Sequence, residues 1–473
     1  MRESPRAVAA MRDEAALLVR AGLPPDSAFA FLDASPPLQG DFQHDVAAFT
    51  KYWQTGAALR ARLPAKPARH ADEAAACDLI LREERKARES FLTAHVDGLY
   101  RRLTKDRSRF VRAEQLVYDA AALVPGLVPT QEAVRHEAGQ KLKGKEGFEI
   151  DQGIFLSHVF AHAASGRHLC HAMLLPRRES AERLAHLVEH GSIDLGAAAV
   201  SRIGRASVVE MRHPRFLNAL DDTTLDAIET AVDVAILDPA TGVAVLRGGL
   251  VEHPKYAGRR VFSAGINLTH LYHGQISYLF YIKHILGFEN KILRGLAQPE
   301  LPPDEATRST TEKPWIAAVD AFAIGGGCQH LLVMDYVLAG SDAYLTLPAR
   351  KEGIIPGASN LRLPRFVGDR AARQAILSGR EWIAGEPDAE LLCDEVVTAA
   401  EFDGALAKRI AALTDSGLVN AIANRRAIRI GQEPLELYRE YMALYSREQA
   451  YCHQSPQLVS NLERNWNAHN RVA

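Results

Sequence analysis

The chain has 473 residues, 47% of them hydrophobic and 24% charged, with a formal net charge of −2. This length supports two or three domains around a large core, and the near-neutral charge gives no basis for nucleic acid or an anionic membrane as a partner. Five scattered cysteines (Cys77, Cys170, Cys328, Cys393 and Cys452) form no C-x-x-C pair, which argues against a disulfide framework or a thiolate zinc site and suits a reducing compartment.

In chain order, the opening stretch MRESPRAVAAMRDEAALLVRAG carries Arg12, Asp13 and Glu14 where a secretion signal needs its apolar core. No run approaches the roughly 18 apolar residues of a membrane span, so a cytoplasmic location is expected. Residues 1–195 read as a helical domain. DEAAACDLILREERKARESFLTAHVDGLYRRLT spaces its apolar residues by three and four, and the proline-rich breaks AGLPPDSA, SPPLQGD and RLPAKPARH separate helices. Within this domain SHVFAHAASGRHLCH holds His158, His162, His168 and His171. An i, i+4 pair of histidines can share a helix face and bind a metal. No carboxylate set accompanies these, so helix surface and packing are the expected roles and no metal is expected.

Residues 196–395 change character. RASVVEMRHP and TGVAVLRGGLVE are strand-like and flank LDDTTLDAIETAVDVAILD, which has helical periodicity. The three make a β-α-β unit and imply parallel pairing. KPWIAAVDAFAIGGG and DYVLAGSDAYLTLPA add further strands, and residues 396–473 return to helical patterning. The expected fold is α/β, with a helical N-terminal domain and a helical C-terminal section.

AFAIGGGCQHLLVMD, residues 321–335, places three glycines where a strand turns into a helix expected to begin near Gly326. Unpaired N–H groups at such a start can hold an anion. Phosphate is poorly supported: no Lys-Ser/Thr follows the glycines, and Gln329 and His330 break a G-x-G-x-x-G pattern. Glycine also serves plain close packing of helix on strand. A related turn, RRVFSAGINL at residues 259–268, ends a strand-like run at Ala264 and Gly265. If the two turns converge, their N–H groups form an oxyanion hole for a carbonyl oxygen that becomes negative. No G-x-S-x-G elbow is present, against a serine hydrolase.

FSAGINL, VDAFAIGGGCQHLLVMDYVLAGSDAYLTLP, GIIPGASNLRLPRFVG and LLCDEVV, in that order, resemble the crotonase (enoyl-CoA hydratase/isomerase) superfamily over about residues 200–400. The resemblance implies a crotonase-type ββα core that binds acyl-CoA thioesters, assembles as trimers or dimers of trimers, and uses the N–H groups of Ile266 and Gly326 as oxyanion donors. It also implies that Cys328 packs into the core. More narrowly, EGFEIDQGIF, GRRVFSAGIN, EKPWIAAVDAFAIGGG, PARKEGIIPGASNLRL and ANRRA resemble the 3,5-dihydroxyphenylacetyl-CoA 1,2-dioxygenase family over most of the chain. That resemblance implies catalysis with no metal or organic cofactor, O₂ as co-substrate and CoA as part of the substrate. The α-carbon is deprotonated, the enolate reacts with O₂, and CoA leaves to give an arylglyoxylate.

Hydratases of the superfamily use two carboxylates, whose places here hold Gln329 and Ala349. Neither side chain accepts a proton at neutral pH. Glu352 falls three residues further on, in a K-E-G stretch expected to be solvated. Gln329 is expected to orient the acyl group or a water. The apolar character of Ile266, Leu268, Ile324, Ile354 and Ile355 is compatible with a dry pocket for O₂, and equally with ordinary core packing; Gly325 is expected at the substrate site. Arg259 and Arg260 are expected to meet the phosphate end of CoA. Two departures from the dioxygenase pattern bear on the substrate. Leu220 stands where the family commonly has Glu, and Lys283 and His284 replace a pair of arginines. The acyl group is therefore expected to be less hydroxylated, with His284 against its ring. The alternatives are an isomerase or hydrolase with Glu352 or His284 as base, and an acyl-CoA-binding pseudoenzyme.

Overall fold

Val243–Gly248 and Trp315–Val319 are buried at every position, as strands covered on both faces of a parallel sheet must be. The computed structural model describes residues 5–301, 310–415 and 417–471. Its strands are β1 (Ser192–Asp194), β2 (Ala198–Ile203), β3 (Ala206–Met211), β4 (Val243–Gly248), β5 (Trp315–Val319), β6 (Phe322–Ile324), β7 (Tyr336–Gly340), β8 (Tyr344–Thr346), β9 (Glu381–Ile383) and β10 (Glu395–Val397). The larger sheet runs β1-β2-β3-β4-β5-β7-β10. It is antiparallel from β1 to β3 and parallel from β3 onward. The helix Leu225–Leu237 joins β3 to β4, so the β-α-β unit read from the sequence is present. A smaller sheet, β6-β8-β9, stands beside it.

Phe402, Leu406 and Ile410 of the helix Phe402–Thr414 cover one face of the large sheet, against Val208, Val245, Ile316 and Leu338. The other face joins a core that runs without a break into the N-terminal helices, through Phe155, Leu156 and Phe160. The last N-terminal helix ends at His190 and β1 begins at Ser192. Lys313 enters β5 with its Nζ buried, donating to Ala235 O, Asp238 O and Thr241 Oγ1 at 2.7, 2.6 and 2.7 Å. It thereby caps the carboxyl end of the helix Leu225–Leu237, while burial pushes its ammonium down to about 8. Lys313→Met removes three hydrogen bonds, although Asp238 O and Thr241 Oγ1 keep other partners, and is expected to cost roughly 2 kcal/mol in urea unfolding; a loss below about 0.5 kcal/mol contradicts the capping role.

The C-terminal helices fold back over the segment 349–357. Ile355 N donates to Gln449 Oε1 at 2.9 Å, and the Tyr441 hydroxyl donates to Gly357 O. Asn465 Nδ2 donates to Lys351 O at 2.9 Å and Asn461 Nδ2 to Arg350 O at 3.4 Å. These bonds clamp a short loop that lies far away in sequence. Among the described residues no helix is long and apolar enough to cross a membrane.

Candidate active site

The first turn is built by polar side chains that tie FSAGIN to HPRFLNALDD. Ser263 Oγ donates to Asn218 O at 2.8 Å and accepts from Gly265 N at 3.1 Å. Asn267 Nδ2 donates to Asp221 Oδ2 at 3.0 Å. Leu220 and Ile266 form a parallel bridge, with Leu220 N donating to Gly265 O at 2.7 Å and Asn267 N donating to Leu220 O at 2.8 Å. In such a bridge the flanking residues make the bonds, so the N–H of Ile266 turns to the other side.

The second turn follows β6, which a Ser263–Ala323 bridge ties to the first. Gly325 adopts φ +51 and donates its N–H to Thr346 O at 2.9 Å. The helix Gly326–Leu331 then begins where the sequence placed it, leaving the N–H of Gly326 without an intrahelical partner. Neither Ile266 N nor Gly326 N has a backbone acceptor among the described residues. The turns nearly touch: a methyl group on Gly265 (φ +82) would lie 2.6 Å from Ile324 O and 3.0 Å from Gly326 N. Only glycine permits that approach.

The paired turns open on a narrow cavity of about 20 Å³. Leu220, Ile266, Gly326 and Gln329 form its floor; Phe280, Tyr281 and His284 come from the helix Tyr278–His284. Glu352, Ile354, Ile355 and Gly357 come from the clamped loop, and Tyr445 from the C-terminal helix Leu435–His453. Most of its lining residues are apolar or aromatic, with His284, Gln329 and Glu352 among them; at this size it must widen to take an aryl group.

Glu352 corrects the expectation of a solvated side chain. It is 8% exposed, and burial alone pushes its carboxyl up to about 7. Its Oε1 lies 3.7 Å from where a methyl on Gly325 would be, beside the second glycine turn. Gln329 extends from the first turn of its helix with Oε1 buried and unpartnered among the described residues. A methyl on Gly357 would sit 2.1 Å from that oxygen, so the glycine of P-G-A-S makes room for the amide. His284 Cε1 and Leu220 Cδ1 each lie 3.5 Å from the position of a methyl on Gly326. Burial, with Arg362 adding, pushes His284 down to about 3, so the ring is neutral. Cys328 is buried, its thiol pushed up to about 12 by burial, which makes it packing and not a nucleophile.

Of the residues named from sequence, Leu220, Ile266, His284, Gly326, Gln329 and Ile354 meet in this cavity, with Gly325 at its edge. Ile324 and Leu268 do not line it. Ile324 packs in a satellite cluster with Val251, Val261 and Phe322, and Leu268 opens the short helix Leu268–Tyr272 capped by Asn267. Arg259 is held by Asp342 at 2.8 Å and by Asp320 O. Arg260 pairs with Glu210 and lines a separate open cleft with Arg212 and His213. Glu352 had a sequence signal, an acid shortly before I-I-P-G; Phe280, Tyr281 and Tyr445 had none. The four N-terminal histidines lie elsewhere, bonded to Glu89, Ser165, Arg107 O and Gln298 O. No group of His, Cys, Asp or Glu that could hold a metal occurs among the described residues.

The enoyl-CoA hydratase/isomerase family model matches residues 204–440. The (3,5-dihydroxyphenyl)acetyl-CoA 1,2-dioxygenase of Amycolatopsis orientalis is 45% identical over 418 residues, covering 88% of this chain and 94% of that protein. The mitochondrial enoyl-CoA hydratase of Pongo abelii is 28% identical over 225 residues, covering 45% of this chain and 68% of that protein. A solved enoyl-CoA hydratase from Mycobacterium avium subsp. paratuberculosis K-10 aligns with TM-score 0.47 and 22% identity, over 59% of this chain and 100% of that one. The family model covers β3 to β10 and both glycine turns, and this chain belongs to the enoyl-CoA hydratase/isomerase (crotonase) family.

Proposed function

We propose that this chain is a dioxygenase needing no metal or organic cofactor, which converts an arylacetyl-CoA thioester and O₂ to CoA and an arylglyoxylate. One observation carries the reading: among the described residues, the cavity pairs two free backbone N–H groups with a single unpartnered carboxyl, Glu352, while Gln329 occupies the place of a second acid. Such a site makes and holds an enolate but cannot run paired acid–base addition of water. The 45% identity to a protein named as an arylacetyl-CoA dioxygenase supports it.

Glu352 removes one α-proton, and the N–H groups of Ile266 and Gly326 bind the enolate oxygen. The α-carbon then bonds to O₂, and the outer oxygen attacks the thioester carbonyl and expels the thiolate. The O–O bond breaks as the second α-hydrogen leaves as a proton, giving the α-keto acid. Glu352 returns its proton to the thiolate, so no outside oxidant or reductant is needed. Gln329 orients the acyl group, and Leu220 with Ile354 keeps the cavity apolar where O₂ enters. We assign CoA's phosphate end to the cleft of Arg212 and Arg260, with Arg259 holding its border through Asp342. A cytoplasmic homotrimer or dimer of trimers is the assembly we propose.

The test follows O₂ uptake and free-thiol release with phenylacetyl-CoA and its ring-hydroxylated analogues, without added metal or flavin and after chelation. One thiol per O₂ is expected. Equal thiol release under nitrogen would show a hydrolase, with Glu352 activating water. Tight binding without turnover would show an acyl-CoA-binding protein.

A further inference from the structure

Behind the cavity, His284 Nε2 lies 2.9 Å from Nε2 of His330. Both rings are buried, at 5% and 0% exposure, and burial drives both pKa values below the ordinary imidazole value. A neutral imidazole carries one N–H and one bare nitrogen, so one ring must donate to the other. The two choices leave different atoms unpaired.

If His284 donates, His330 carries its proton on Nδ1. That nitrogen is fully buried and has no partner among the described residues. An orphaned buried N–H is rare and costly. If His330 donates, its orphan is only a lone pair, and the proton of His284 moves to Nδ1, on the ring that lines the cavity. The same arrangement faces a donor, and not a lone pair, toward a cavity that holds the Glu352 carboxyl and is built to receive an oxyanion. Both arguments select the same proton positions. The aromatic packing of His330 between Phe288 and Phe262, at centroid distances of 5.0 and 6.3 Å, keeps its ring from turning to any other partner.

We infer that His330 is a positioning residue: it donates Nε2–H to His284 and holds His284 as the Nδ1–H tautomer, a neutral hydrogen-bond donor to an oxygen on the acyl group. His284 and Leu220 flank the same glycine, Gly326, so the acyl end meets one donor and one apolar side chain. That pair fits an aryl ring with a single hydroxyl on the His284 side. The tautomer stands on the geometry and burial of the two rings, whereas the choice of substrate rests on the arylacetyl-CoA reading.

Two measurements test it. Enzyme labelled with ¹⁵N-histidine is examined by long-range ¹H–¹⁵N correlation, with the His284 signals identified by their loss in His284→Asn. A proton on Nδ1 is expected in the wild type and in His330→Gln, whose amide replaces the Nε2–H donor. A proton on Nε2 of wild-type His284 overturns the inference whatever the substrate. The second measurement is the ratio of kcat/KM for 3-hydroxyphenylacetyl-CoA over phenylacetyl-CoA. It is expected to fall about tenfold in His330→Leu, the loss of one neutral hydrogen bond, and to be kept in His330→Gln and in His284→Asn, whose amide nitrogen replaces Nδ1. An unchanged ratio in His330→Leu, or an equal fall in His330→Gln, makes His330 mere packing and overturns the positioning role. If neither thioester turns over, the arylacetyl-CoA reading fails and the labelled spectra still decide the tautomer.

Discussion

Glu352→Gln is expected to lower kcat by about a thousandfold, within the range that removal of a general base produces, and to leave thioester binding nearly intact. The wild-type rate should rise with pH in proportion to the ionised carboxyl and level off above about 7, where burial has placed it. His284, pushed down to about 3, stays neutral across that range and adds no inflection. The same shift sets a stability signature. A carboxyl whose folded pKa is raised binds its proton more tightly in the native state, so stability falls as pH rises from the ordinary carboxyl value of 4.5 through about 7. At 1.36 kcal/mol per unit the loss is on the order of 3 kcal/mol. Glu352→Gln should therefore be more stable than the wild type at pH 8 by about that much, with the difference gone near pH 4. A variant that keeps a tenth of the wild-type rate would move the base elsewhere, and a flat stability difference would mean that the carboxyl is solvated.

Gly265→Ala is expected to reduce kcat by 10²–10³-fold, the cost of one displaced oxyanion donor. Its methyl would lie 2.6 Å from Ile324 O and 3.0 Å from Gly326 N, so the two turns must separate. Gly258→Ala is the control. That residue also has positive φ, at +75, but a methyl there meets nothing within 4 Å. Both variants carry the backbone cost of about 1 kcal/mol for a left-handed non-glycine residue; only Gly265→Ala should lose the rate. Equal loss in the two would assign the effect to backbone strain and not to the donors.

These two experiments probe parts of the site that differ in how legible they were. The glycine turns were readable because their signals are local. A strand-like run followed by small residues bares N–H groups whatever surrounds it, and Gly326 opens the helix as read. The β-α-β unit was readable for the same reason, since residue periodicity reflects which face is buried. Leu268 and Ile324 were misjudged because an apolar side chain near a motif has no way to show which cavity it faces. Arg259 was assigned to a ligand, but its partner Asp342 comes from the β7–β8 turn, which no local pattern pairs with it.

Sequence by itself therefore determined the two glycine turns and the loss of the acid at Gln329, whereas their convergence came from the fold. Only the tertiary structure decided that Glu352 is buried and not solvated. Its environment is made by Tyr281, Tyr445 and the clamp of Gln449, Asn461 and Asn465 on the loop 349–357. Hydrogen-bonding patterns of turns are set by neighbours in the chain, but the desolvation that raises a carboxyl's pKa is set by whatever else folds against it. Here that is the C-terminal pair of helices.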